Sequence, residues 1–139
     1  MLVRECLHAA PVTVPPSCTL REGARLMERH EVGALLVADA GVLVGIVTDR
    51  DLSVRGYGNE LSPDATVDEV MTRVPVTVQG SADFLEAFAT LREAGVRRLP
   101  VLEDDEIAGM ITTDDLLVLT VKELASIAQP AAETLRGTR

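Results

Sequence analysis

Shifted by 64 residues, the sequence aligns with itself: residues 3–52 lie against 67–116 without a gap, and 15 of the 50 positions are identical. Such a duplication restricts the fold to two similar units. A unit of about 50 residues buries too little surface to be stable alone. The two copies are therefore expected to pack against each other about a pseudo-twofold axis as one module. Pro11-Val12-Thr13-Val14 matches Pro75-Val76-Thr77-Val78, Leu35 matches Leu99 and Val37 matches Val101. The densest match sets Gly45-Ile46-Val47-Thr48-Asp49-Arg50-Asp51-Leu52 against Gly109-Met110-Ile111-Thr112-Thr113-Asp114-Asp115-Leu116.

Each copy carries the same succession of local signals. The Pro-Val-Thr-Val stretch alternates and is β-branched, which predicts a short strand. A helix follows, opened by a capping box, Thr19-x-x-Glu22 in one copy and Asp83-x-x-Glu86 in the other. Its apolar stripe (Leu20, Ala24 and Met27; Phe84, Ala87, Phe88 and Leu91) is core packing at helical spacing. Two near-continuous apolar strands come next, Ala34–Ala38 and Leu43–Val47, then Leu99–Leu102 and Ile107–Thr112. A second helix starts after Thr48 or Thr112. The first should stop at Gly56, a natural C′ residue; the second should run to about Ala128, with Pro130 opening a loose tail. The predicted fold is α+β, two β-α-β-β-α repeats with helices on one side of each small sheet. Repeat 1 spans 2–57, a Gly- and Pro-bearing linker 58–66, repeat 2 67–128 and the tail 129–139.

Composition narrows the function. The chain has 139 residues, of which 47% are hydrophobic and 2% aromatic, so aliphatic side chains must build the core. The lack of aromatics removes the stacking platforms of single-strand nucleic-acid binders. A formal charge of −9 opposes attraction to polyanions and to anionic membranes, without opposing a single small-anion site. No apolar run reaches membrane-spanning length, and Arg4 and Glu5 interrupt anything resembling a signal peptide. Cys6 and Cys18 form no C-x-x-C and read as free, buried or half-buried thiols of a cytoplasmic protein. His8 and His30 stand apart from other soft ligands, which argues against zinc and against a His-dependent triad. No nucleophile–base pair appears, so no catalytic residue or metal ligand is expected.

The motifs taken together resemble a tandem pair of cystathionine-β-synthase (CBS) domains, a Bateman module. The resemblance rests on Val67-Asp68-Glu69-Val70-Met71-Thr72 ahead of Pro75-Val76-Thr77-Val78, on Arg97-Arg98-Leu99-Pro100-Val101, and on Gly-x-x-Thr-x-x-Asp closing each copy. Cys6-Leu7-His8 departs from the Val70-Met71-Thr72 element, a departure expected to affect packing more than binding.

The resemblance implies regulation through adenosine-containing ligands held in clefts between the copies. Thr48-x-x-Asp51 and Thr112-x-x-Asp115 place a hydroxyl and a carboxylate at a helix start, where an ionised Asp can accept from a ribose diol. The same spacing also serves helix capping alone. By the family's arrangement the first cleft takes Thr48, Asp51, Thr66, Val67, Val96, Arg97 and Arg98. Val67 and Val96 would be purine walls, and the two arginines would meet phosphate oxygens. The second takes Thr112, Asp115, Leu2, Val3, Val32, Gly33 and Ala34, with Arg4 near enough in sequence to compensate for the missing basic pair. The first cleft is thus expected to hold a nucleotide phosphate, and the second to be empty or to take an uncharged nucleoside. For the arginines the competing role is a solvated strand edge or an ion pair with the acidic turn Glu103–Glu106.

The expected function is a non-catalytic sensor that binds AMP, ADP or ATP, with S-adenosylmethionine or NAD as further ligands. It would need no cofactor, form a homodimer through helix faces and act on a separate protein. The alternative is a ligand-free scaffold acting through its dimer surface. Nucleic-acid binding, known for some family members, is opposed by the charge.

Overall fold

The computed structural model describes residues 1–73 and 75–137. The first repeat runs β1 (Thr13–Val14), α1 (Leu20–His30), β2 (Ala34–Asp39), β3 (Val42–Thr48) and α2 (Asp49–Asp51). α2 passes into a π-helical turn, Leu52–Gly56, and a 3-10 turn, Tyr57–Asn59. After β4 (Thr72–Arg73) the second repeat runs β5 (Val78–Gln79), α3 (Phe84–Ala94), β6 (Arg98–Glu103), β7 (Glu106–Thr112) and α4 (Thr113–Gly137). β1 lies parallel to β2 and β5 parallel to β6, while β2–β3 and β6–β7 are antiparallel hairpins.

The two hairpins are built alike from unlike sequences. Ala40 and Gly41 in one, Asp104 and Asp105 in the other, all have positive φ. Two left-handed central residues make the turn whose twist matches the flanking strands. Both hairpins carry a register shift at the same place, between Val37 and Ala38 and between Val101 and Leu102. Leu35 and Leu99, Val37 and Val101 are each fully buried at equivalent depths. Among the described residues no polar or charged side chain is buried. The scarce aromatics are thus replaced by an aliphatic core in each half.

The repeats also exchange chain. A 3-10 turn at Val67–Glu69 buries Val67 and Val70 in the core of the first repeat. β4, which follows it, completes the first sheet beside β3. Reciprocally, a turn at Val3–Cys6 sends Val3 and Cys6 into the second core, tied by Val3 N–H to the Ala82 carbonyl at 2.8 Å. Neither core is closed by its own repeat, which makes the pair one module.

Three local expectations are corrected. The Pro-Val-Thr-Val stretches contribute only Thr13–Val14 and Val78–Gln79 to strands, because the flanking prolines lack the N–H a ladder needs. The helical segment ends at Gly56 as expected, but Gly56 keeps a right-handed backbone instead of serving as a left-handed C′ residue, and a 3-10 turn carries the chain to the left-handed stop at Glu60, φ 58°. α4 does not end before Pro130: it continues to Gly137, Ala125, Ala128, Ala131 and Ala132 being strong helix formers around it. Only one helical hydrogen bond, to the exposed Ser126 carbonyl, is lost to the proline. The last two residues of the expected tail lie outside the described residues.

Candidate functional site

Each Thr-x-x-Asp closes the second strand of a hairpin and opens a helix. Thr48 Oγ1 accepts from Asp51 N–H at 3.1 Å, and Asp51 Oδ2 accepts from Thr48 N–H at 2.9 Å. The second copy repeats both bonds, at 3.1 and 2.9 Å, between Thr112 and Asp115. Capping is therefore real in both copies, and one carboxylate oxygen of each Asp is committed to it.

The remaining polar atoms differ. Thr48 Oγ1 also donates to Asp51 Oδ2 at 3.0 Å, and Arg55 Nε stands 3.8 Å from Asp51 Oδ1. Only 14% of the Asp51 side chain is exposed. The residue equivalent to Arg55 is Leu119, a buried core side chain, so Asp115 faces no such cation. Among the described residues Asp115 Oδ1 and the Thr112 hydroxyl proton have no partner. The first box is closed on itself, and the second is open.

Beside the open box lies a cleft of about 350 Å³, lined by Arg97, Arg98, Thr112, Thr113 and Asp114. That is within the range of small-molecule pockets. Strand register explains the grouping: Arg98 is the partner of Thr112 across β6–β7. The Thr113 amide donates to the Arg97 carbonyl at 3.0 Å, closing the cleft floor. Neither arginine has an ion-pair partner among the described residues. The acidic turn engages Arg4 instead, Nε to Glu103 Oε1 at 2.7 Å, so Arg4 supplies no charge to a cleft. A second hollow of about 300 Å³ shares Arg97 and Thr113 and adds apolar walls from Phe88, Leu91 and Val96.

Arg98 also reaches across to the first repeat. A Cβ placed on Gly33 would stand 2.8 Å from Arg98 Nη2 and 3.3 Å from Asp49 Oδ2. Gly33 is therefore the gap through which the guanidinium passes. Of the residues expected in the first cleft, Arg97 and Arg98 stand with Thr112 rather than with Thr48 and Asp51. Val67 is fully buried and Thr66 caps the turn that holds it, bonding Asp68 and Glu69. Val96 is exposed and lines the apolar hollow. Of the second set, Gly33 approaches the arginine cleft and Val32 is half-buried against the first core. Val3 and Ala34 are buried, and Leu2 lies on the N-terminal strand bridge to Asp83. Thr113 and Asp114 were not anticipated. Counting back from the Asp104–Asp105 turn sets Ile111 opposite Arg98; the register shift between Val101 and Leu102 moves the strand by one residue and brings Thr112 there instead.

Burial raises the thiol pKa of both Cys6 and Cys18, with neighbouring acids, Glu5 and Glu22 among them, adding to it. The two cysteines sit in different cores and are free. Among the described residues no three His, Cys, Asp or Glu side chains gather as metal ligands. No helix of the described residues is long and apolar enough to cross a membrane.

Comparison with known proteins decides the family. The CBS domain matches twice, over residues 3–55 and 67–122. The chain belongs to the CBS domain family. It is 32% identical over 116 residues to the CBS domain-containing protein YhcV of Bacillus subtilis, covering 84% of this chain and 83% of that protein. It is also 32% identical over 129 residues to CBSCBSPB3 of Arabidopsis thaliana, where it spans only 23% of the longer protein. Among solved structures, the CBS domain protein NE2398 superposes with a TM-score of 0.81 at 31% identity, covering 87% of this chain and 98% of that one. Hypoxic Response Protein I, solved with two coordinated zinc ions, gives 0.76 at 30%, covering 84% and 97%. The CBS domain pair of MJ0100, in complex with 5′-methylthioadenosine and S-adenosyl-L-methionine, gives 0.79 at 25%, covering 88% and 98%. The chain is thus a CBS domain pair, a fold of regulatory modules, and no catalytic family is indicated.

Proposed function

We propose that this CBS pair binds an adenosine-containing ligand in the Arg97–Arg98–Thr112 cleft and transmits its occupancy to a separate protein in the cytoplasm. The observation that carries the reading is the coincidence of two unpaired guanidinium groups with an open Thr112–Asp115 box. Arg97 and Arg98 would hold phosphate or carboxylate oxygens by paired N–H donation, a task to which the planar guanidinium is suited. Asp115 Oδ1 would accept from a ribose hydroxyl, and Phe88, Leu91 and Val96 would flank the base. The adenosine ligands bound by the MJ0100 pair support this ligand class. AMP, ADP or ATP fits the two arginines best, S-adenosylmethionine or NAD less well. Thr48 and Asp51 would form the weaker, closed counterpart, with any ligand there uncharged.

Occupancy shifts a partner's behaviour only by its differential affinity for two states of the module. Arg98 is the natural coupler, since it lies between the ligand cleft and Gly33–Asp49 of the other repeat. A thermal-shift series with AMP, ADP, ATP, S-adenosylmethionine and NAD tests the reading: native-state binding raises Tm with ligand concentration. The exposed apolar face of α4 favours a second reading, a ligand-free scaffold. Tm unmoved by all five compounds would select it.

A further inference from the structure

Another hollow lies within the first repeat and shares no residue with the arginine cleft. It is lined by β1 and the turn after it on one side and by α1 on the other, and encloses about 480 Å³. That is the size of a small-molecule site. Val14, Pro15, Cys18 and Leu26 give it apolar surface, and Arg25 and Arg29 join them from consecutive turns of α1.

The fold does not ask for these arginines. Arg21, Arg25 and Arg29 set like charges four residues apart along α1, an arrangement that weakens a helix. Arg21 is relieved by an ion pair with Asp64. Arg25 and Arg29 have no ion-pair or hydrogen-bond partner among the described residues. Glu22, which also lines the hollow, turns its carboxylate to the Thr19 N–H at 3.3 Å in the capping box. Arg29 lies in the last turn, where a cation suits the helix dipole, but Arg25 in mid-helix has no such role. The second repeat folds alike with Ala89, Thr90 and Glu93 at the positions of Arg25, Leu26 and Arg29. Gln79 and Ala82 stand there for Pro15 and Cys18. The basic and apolar lining is thus particular to the first repeat.

We propose that this hollow binds a small amphipathic anion, its aliphatic chain over Val14, Cys18 and Leu26 and its terminal carboxylate or phosphate held by Arg25 and Arg29. The guanidinium fork pairs with either head group, and burial of the chain supplies the rest of the affinity. An extended peptide fits less well. β1 is two residues long, and Pro11, Pro15 and Pro16 around it carry no N–H for an added strand.

Titration of octanoate, octyl phosphate and octanol into the full chain, followed by backbone amide shifts in proton–nitrogen correlation spectra, tests this independently of nucleotide binding. Both anions should shift Ser17, Cys18 and Leu26 with a Kd on the order of 0.1–1 mM, and the tighter of the two names the head group. Arg25→Gln combined with Arg29→Gln should weaken both anions about tenfold or more and leave octanol unchanged. Both side chains are exposed, so circular dichroism of that variant should stay native. From butanoate to octanoate, each methylene should tighten binding about two- to fourfold. Arg98→Ala should change nothing. Affinity indifferent to chain length, shifts centred on Arg98 and Thr112, or binding unmoved by the double variant overturns the proposal. So does an acidic peptide, hexaglutamate, that shifts the same amides when octanoate does not.

Discussion

The two repeats share a backbone and diverge in what they leave open. In the first, Thr48, Asp51 and Arg55 satisfy one another, and Gly33-Ala34 stand where the second has Arg97-Arg98. In the second, Leu119 replaces Arg55 and enters the core, so Asp115 keeps one oxygen free, and Thr112, its capping partner, lines the cleft of the two unpaired arginines. The duplicated motif is thus structural in both halves and chemically available in one. A cap and a binding group are not alternatives: a carboxylate has two oxygens, and its neighbours decide whether the second is spent.

The largest effect expected from breaking this comparison lies in what the halves have in common. Leu35→Ala and Leu99→Ala each remove a fully buried side chain and should cost about 3 kcal/mol. Because each core is closed by chain from the other repeat, both variants should unfold in one transition seen alike by circular dichroism and calorimetry. Two separated transitions would show that the repeats are independent.

Gly45 and Gly109 sharpen the contrast at the next level. A Cβ on Gly45 would collide with Met71 Sδ and stand 3.0 Å from the Thr72 carbonyl of the β4 strand. On Gly109 the nearest atoms it would meet belong to the Leu7 side chain, at 2.8 Å. Gly45→Ala is therefore expected to cost about 1–3 kcal/mol, and Gly109→Ala less, since a leucine rotates more readily than a paired strand moves. Chemical denaturation of both variants checks the order.

The capping carboxylates come third. Asp51→Ala should lose about 1 kcal/mol of stability with its cap, leaving nucleotide affinity unchanged. Asp115→Ala should lose similar stability and, in addition, about tenfold in affinity. Equal affinity losses would erase the distinction between closed and open boxes. The smallest effect concerns the thiols. With a pKa raised by burial, Cys6 and Cys18 favour the protonated form in the folded state. Their contribution to stability is complete at neutral pH and lost as pH rises beyond the ordinary thiol range. Alkylation of the native protein near pH 8 should be slow and should quicken together at both sites on unfolding.

Much of the fold was legible because the repeat fixes two equivalent units and hairpins announce themselves by apolar runs and turns. The capping boxes at Thr19 and Asp83 formed as their spacing requires. What escaped was set by tertiary contact. The exchange of Val3 and Val67 between cores leaves no trace in local pattern. The grouping of Arg98 with Thr112 is a register fact set by the shift between Val101 and Leu102, since counting from the hairpin turn alone sets Ile111 opposite Arg98. The course of α4 past Pro130 depends on helix formers outweighing one breaker.

The central claim is that one repeat, the second, holds the phosphate-bearing ligand. Isothermal titration of AMP and ATP into wild type, Arg98→Ala and Asp51→Ala tests it directly. The account predicts one site per chain for the tighter of the two nucleotides, an affinity lowered about ten- to a hundredfold by Arg98→Ala, and no change with Asp51→Ala. Two equivalent sites, or binding indifferent to Arg98, would contradict it.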